Sequence, residues 1–448
     1  MVSIWNCAAC RRIRQRVRCG QLHIQRILRR NDYPERKFVL RKKDNYETLE
    51  KTYSIHFNKL DIIYCCGLFV IAVAMSELFY RQSIKYAGRY LSDMRHYIGS
   101  KDNAPDMDPI RGVRIILGGL YGINHSTWED ALFMTALVIF TIIMNYIIIR
   151  YFITKVCYSR WVYQIASLVA LFTGPIAVPG IWWHFYTGTF SKYAWHSPTQ
   201  IMMVAFALLA TWLFFKTYDN YYEKIRVRDW ILIALSFVVS AWAKPSFIMI
   251  FFPVMAVLLV LDFFLRRDAD IKKRFFAALG LGTTAFPACV YFLMLKDSIY
   301  NDGGSDSVTT TIGGLADTLT GEIIFGCIFG MAFPIFVLLF NIKGLKDIKY
   351  SFLWLVFLVS YVEGRIFGET GIREGHGNFG WGRKMGVYLV FIISIAKFLE
   401  NFKDPEFMNE KQGLRKFYFI GGSVLLAMHF VCTMYYMANL FMGYKYGI

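Results

Sequence analysis

The sequence predicts an all-α polytopic membrane protein with about eleven transmembrane helices, within a range of roughly ten to twelve. Three observations predict it. Of the 448 residues 56% are hydrophobic and only 18% charged, a balance outside that of water-soluble domains. Several runs reach the ~20 apolar residues that cross a hydrocarbon core, among them "ALFMTALVIFTIIMNYIIIRYFI" from Ala131 and "YFIGGSVLLAMHFVCTMYYMANLFM" from Tyr418. Their number exceeds what a cleaved leader explains.

The chain opens with a basic segment, residues 1–60, followed by a membrane domain over 61–448. Within "RRIRQRVRCGQLHIQRILRR" from Arg11, Ile13, Val17, Ile24 and Leu28 fall at mostly helical spacings among arginines. That pattern suits either a helix lying on an anionic leaflet or a solvated tail. Membrane helices are then expected to start near Asp61, Ala131, Trp161, Gln200, Trp230, Ser246, Phe276, Glu322, Ser351, Met385 and Tyr418. The first span is followed by a loop of about fifty residues, Arg81 to Asp130, and loops this long are often functional.

The formal charge is +18, yet its distribution argues for a bilayer rather than nucleic acid. With the N-terminus cytoplasmic, Lys and Arg divide about 35 inside to about 15 outside, in the sense of the positive-inside rule. Without residues 1–60 the split is about 20 to 15 under the same rule. "RRDADIKKR" from Arg266 and "KGLKDIK" from Lys343 anchor the inner side, and "DSIYNDGGSDS" from Asp297 falls in an outer loop. The expected location is a cell (inner or plasma) membrane, crossed many times, with membrane lipids as partners.

Nine cysteines give no disulfide framework, because Cys65, Cys66, Cys157, Cys289, Cys327 and Cys432 sit in or beside apolar runs, as packing thiols do. Cys7, Cys10, Cys19 and His23 have the types of a zinc site but no surrounding core, so a basic tail is the stronger reading. There is no G-x-x-x-x-G-K-[ST] loop, no H-E-x-x-H pair and no dinucleotide fingerprint.

The candidate chemistry crowds the predicted outer face. In the first loop, "GRYLSDMRHYIG" carries Asp93 with Arg95 and His96 close by; a carboxylate there suits a general base, or simply a helix cap. The second loop carries His184, Lys192, Trp195 and His196 among aromatic rings that suit either sugar faces or the membrane interface. Lys244 lies at the tip of a tight "AKPS" turn, where a cation either snorkels to headgroups or meets a lipid phosphate.

The densest charge lies in "YVEGRIFGETGIREGHGNFGWGRK", residues 361–384. Glu363 and Arg365 fall inside an apolar run, where an unpaired charge costs at least ~2.5 kcal/mol near a helix centre. Six glycines over residues 368–382 allow tight turns and close approach of amides to an anion. Arg373, His376 and Arg383 are therefore candidates for phosphate or pyrophosphate, through bidentate guanidinium contacts. The alternative is a plug of internal ion pairs, Glu363 with Arg365 and Glu369 or Glu374 with Arg373.

This layout resembles the GT-C superfamily of membrane glycosyltransferases, which take sugars from polyprenyl-phosphate carriers. "YLSDM" at Tyr90, "WHSPTQ" at Trp195, "AKPSF" at Ala243 and "GHGNFGWG" at Gly375 are similar to stretches in bacterial membrane proteins linked to polysaccharide assembly. The resemblance implies a hexosyltransferase that moves a sugar from a polyprenyl-linked donor to a glycan or lipid-linked acceptor, with no nucleic-acid partner. It places the catalytic base on Asp93; by their own chemistry Arg95, His96, His196, Lys244, Glu363, Arg365, Arg373, His376 and Arg383 are the substrate- or phosphate-binding candidates. Many members carry two acids where "SDM" has one; Asp102, Asp106 and Asp108 are alternatives, which leaves any divalent metal open. An O-antigen-polymerase-like enzyme and a glycolipid flippase are the competing expectations.

Overall fold

The computed structural model describes residues 59–84, 127–157, 159–181, 195, 197–265, 270–300, 308–310, 321–369, 379–404, 407 and 412–443. By internal contacts the chain divides into two units, Met1–Phe69 and Val70–Ile448. The described part of the first is helical, and the second holds everything that follows.

The described residues are almost entirely helical: α1 (Lys59–Ile84), α2 (Thr127–Thr154), α3 (Arg160–Leu171), α4 (Pro198–Tyr218), α5 (Val227–Ala243), α6 (Ser246–Leu265), α7 (Ile271–Gly282), α8 (Phe286–Tyr300), α9 (Gly321–Phe340), α10 (Ile348–Ile366), α11 (Gly380–Asn401) and α12 (Gln412–Met442). Each expected start falls on one of these segments, and one 3-10 turn, Thr283–Ala285, divides the seventh into α7 and α8. Among the described residues six segments are long and apolar enough to cross a membrane: Ile62–Ile84, Ala131–Thr154, Pro198–Tyr218, Ser246–Leu265, Ile271–Met294 and Gln412–Met442.

Three features differ from the sequence reading. The third segment is helical for only 12 residues and continues as irregular chain after Leu171, because "TGPIAVPG" supplies two prolines that cannot donate to a helix. The outer loop expected from Asp297 begins later, since α8 runs to Tyr300. A short antiparallel ribbon, absent from the all-α expectation, pairs β1 (Val308–Thr310) with β2 (Phe367–Glu369), Thr309 opposite Gly368.

Helix α4 is the most enclosed of the six long apolar helices, with 17 of its 21 residues buried. Its alanines, and Ala234, Ser236, Ser240 and Ala241 on α5, let the two helices approach closely, the device by which membrane helices gain packing without a hydrophobic driving force. Phe214, Phe237, Phe247, Phe251 and Phe352 join α4, α5, α6 and α10 in one aromatic cluster, with Phe214 edge-on to Phe251 at 5.4 Å.

Short connections make neighbouring helices antiparallel, so the chain ends of the helices sort to two sides. On one side lie the ends of α2, α4, α6, α9 and α11. Lys349 pairs with Asp219 at 2.6 Å, Lys403 donates to the Val156 carbonyl at 2.6 Å, and Asn341, Asn401 and Tyr418 form a hydrogen-bonded chain. The basic anchor from Lys343 belongs to this side; residues 266–269 of the other lie outside the described residues. Tyr218 and Tyr221 donate to one oxygen of Asp262, and burial together with that carboxylate pushes the Tyr221 hydroxyl upward from its ordinary range. On the other side lie Lys244, the end of α10, the start of α11 and the ribbon.

Candidate functional site

Three backbone features build the site. Helix α5 stops at Lys244, whose extended backbone (φ −166°, ψ 124°) precedes Pro245, as the residue before proline requires. Helix α10 ends at Ile366 and passes directly into β2. Helix α11 starts at Gly380, so the last two of the six glycines, Gly380 and Gly382, are helical rather than part of a turn.

Their role is close packing. A Cβ on Gly382 would lie 2.9 Å from Ile250 Cγ2, 3.2 Å from the Ser246 carbonyl and 3.3 Å from Glu363 Oε2. One on Gly364 would meet Arg383 Nε at 2.8 Å and the Phe379 carbonyl at 3.1 Å. Glycines thus bring α6, α10 and α11 together where Glu363 and Arg383 face each other, close enough for the guanidinium to act on the carboxylate. Among the described side chains, Arg383, contributed by another helix, is the cation that acts on Glu363.

Around this contact stand two lysines and a tryptophan. Lys244 Nζ lies 3.7 Å from the Trp381 ring centroid and Lys384 Nζ 4.8 Å from it, both within cation–π range. Lys384 is 3% exposed and Glu363 9%. Glu363 Oε2 accepts no hydrogen bond among the described residues. Lys244 and Lys384 thus share the half-buried Trp381 ring, while Arg383, on the same turn of α11, acts on the buried carboxylate of Glu363. Cations gathered in this way are the kind of group that pairs with an anion.

Of the sequence-predicted residues, Lys244, Glu363 and Arg383 come together. Trp195 is buried between Phe172, stacked at 5.7 Å, and Phe79 at 6.5 Å, which makes it a packing residue rather than an exposed sugar platform. Asp93, Arg95, His96, His196, Arg373 and His376 lie outside the described residues, as do the side chain of Arg365, Asp102, Asp106, Asp108 and the Cys7–His23 group. Among the described residues no group of three His, Cys, Asp or Glu side chains is placed to hold a metal. Lys384 and Trp381 were not singled out from the sequence. Their i, i+3 spacing was visible, but Lys244, which reaches the same indole, is 137 positions away.

Comparison with protein-family models, curated proteins and solved structures gives no match for this chain.

Proposed function

We propose that the protein is a membrane glycosyltransferase that takes its sugar from a polyprenyl-phosphate carrier, with the Lys244–Trp381–Lys384–Arg383–Glu363 cluster holding the phosphate. The observation that supports this is the gathering of three cations and an aromatic face at one end of a helical membrane bundle. In a medium of low dielectric such cations interact strongly with a phosphate. The surrounding apolar helix surface suits the prenyl chain.

In this reading Asp93 takes the proton of an acceptor hydroxyl as the oxygen attacks the anomeric carbon. The bond from that carbon to the phosphate oxygen breaks, the electron pair leaves with the phosphate, and the growing negative charge falls on Lys244, Lys384 and Arg383. Glu363 orients Arg383. Arg95, His96, His196, Arg365, Arg373 and His376 are assigned to the same phosphate and acceptor. The remaining spans beyond the six long apolar ones, an outward-facing site and a cytoplasmic N-terminus belong to this proposal.

The experiment supplies purified protein with a radiolabelled polyprenyl-phosphate sugar and candidate acceptors in detergent. Lipid-dependent transfer that is lost in Asp93→Asn and weakened in Lys244→Met supports the reading. Carrier binding without transfer points to a flippase, and transfer from a pyrophosphate-linked repeat unit alone points to a polymerase; either result overturns it.

A further inference from the structure

The irregular chain after α3 runs through the protein interior, where each backbone N–H and C=O needs a partner. Its partners come from two other helices. Gly174 N–H donates to the His429 carbonyl at 3.4 Å, and Ile176 N–H donates to the Phe329 carbonyl at 3.0 Å. Ala177 N–H donates to Cys432 Sγ at 3.4 Å, and that thiol reaches back toward the Ala177 carbonyl. Gly174 is required here, since a Cβ would stand 2.6 Å from Thr433 Oγ1.

The imidazole of His429 sits at the centre, fully buried. Its Nδ1 lies 2.5 Å from the Gly174 carbonyl oxygen, which can only accept. Its Nε2 lies 3.3 Å from the Phe333 amide nitrogen, which can only donate. One ring nitrogen must carry a hydrogen and the other must not, so geometry fixes both the neutral state and the Nδ1–H tautomer. An imidazolium has two N–H groups and no acceptor, and would oppose the Phe333 amide. The ring is further fixed edge-on to Phe391 at 4.9 Å. Pro334, inside α9, follows Phe333 directly and breaks the regular ladder at that turn.

We propose that His429 is a positioning residue: a neutral Nδ1–H imidazole that joins the broken third segment to α9 and holds residues 172–177 in their non-helical path. Phe172, at the start of that path, stacks on Trp195, two residues ahead of Ser197 at the N-terminal end of α4. The inference concerns the scaffold and stands apart from the transfer reaction.

Protein labelled with 15N-histidine in detergent gives the direct test, with His429→Gln used to assign the signal among the eight histidines. A neutral ring protonated on Nδ1 is expected; an Nε2–H ring or an imidazolium overturns the proposal. Amide exchange supplies the second readout. In His429→Leu the Phe333 and Ile176 amides are expected to lose protection by about tenfold or more while α4 and α11 keep theirs. In His429→Asn, whose amide N–H replaces Nδ1–H, Ile176 stays protected and Phe333 does not. Wild-type protection in His429→Leu, or equal loss at both amides in His429→Asn, counts against the clamp. If the leucine variant does not fold, the wild-type spectrum and the asparagine variant decide.

Discussion

Gly386→Ala tests how the candidate site is held together. Gly386 lies one turn beyond Gly382 on α11, and a Cβ there would stand 2.5 Å from Ser360 Oγ, 3.0 Å from Phe357 Cα and 3.3 Å from Ser360 Cβ. Carbon atoms in contact prefer about 3.5–4.0 Å, so α10 and α11 must separate by roughly 0.5–1 Å against backbone that has no rotamer to change. Ser360 is fully buried and its hydroxyl donates to the Phe357 carbonyl at 2.6 Å, so turning it away abandons a buried hydrogen bond. Overpacking of this kind costs about 1–3 kcal/mol, set against the ~1 kcal/mol that alanine gains over glycine in a helix interior. The two ranges leave a net loss of about 0–2 kcal/mol, and the short contacts to Ser360 Oγ and Phe357 Cα put Gly386→Ala toward its upper end.

Reversible unfolding in mixed micelles, followed by circular dichroism, measures it. Ser360→Ala in the same background should recover at least about 0.5 kcal/mol relative to additivity, because the two residues touch. Gly413 provides the control: a Cβ there meets nothing within 4 Å, so Gly413→Ala should be neutral or stabilising by about 0.4–1 kcal/mol. A Gly386→Ala protein as stable as wild type would refute the claim that glycines set the α10–α11 distance.

Two further predictions follow from the two ends of the bundle. Lys244→Met and Lys384→Met should each weaken binding of inorganic phosphate, measured by calorimetry at low salt, by about 1.5–3 kcal/mol, the range for a hydrogen bond to a charged group; Trp381→Ala, which removes a cation–π partner, should lower thermal stability more than Trp381→Phe. At the basic end, the raised Tyr221 hydroxyl keeps its proton in the fold after an unfolded tyrosine has lost its own. Its contribution is complete below about pH 10, the unfolded value, and is lost as pH rises further. Stability between pH 9 and 11 should therefore fall less steeply in Tyr221→Phe than in wild type, and identical slopes would contradict the assignment.

The helices were legible because each apolar run is long and continuous, as for Ala131 onward and Tyr418 onward. The site was legible only in part. Lys244 and Glu363 stand out because charge beside an apolar run is costly, and the structure brings both to one end with Arg383. Lys384 reads as an ordinary lysine in a helix, and nothing in the local pattern shows that it is buried. The expectation that Glu363 pairs with Arg365 rests on a side chain outside the described residues, and the approach of Arg383 from the adjacent helix, past the glycines at 364 and 382, had no local signal. His429 looks like one polar residue in an apolar span; its partners, Gly174 and Phe333, are 255 and 96 positions away. "TGPIAVPG" was the available signal that the third segment breaks, and hydropathy alone hides it.

The cross-ties at the basic end have a mechanical consequence. Lys349 to Asp219, Lys403 to the Val156 carbonyl, and Asn341 through Asn401 to Tyr418 stitch together helices that are distant in sequence, like the spine of a book. Helix ends tied across in this way open together rather than one at a time, so amide exchange along that edge should be cooperative.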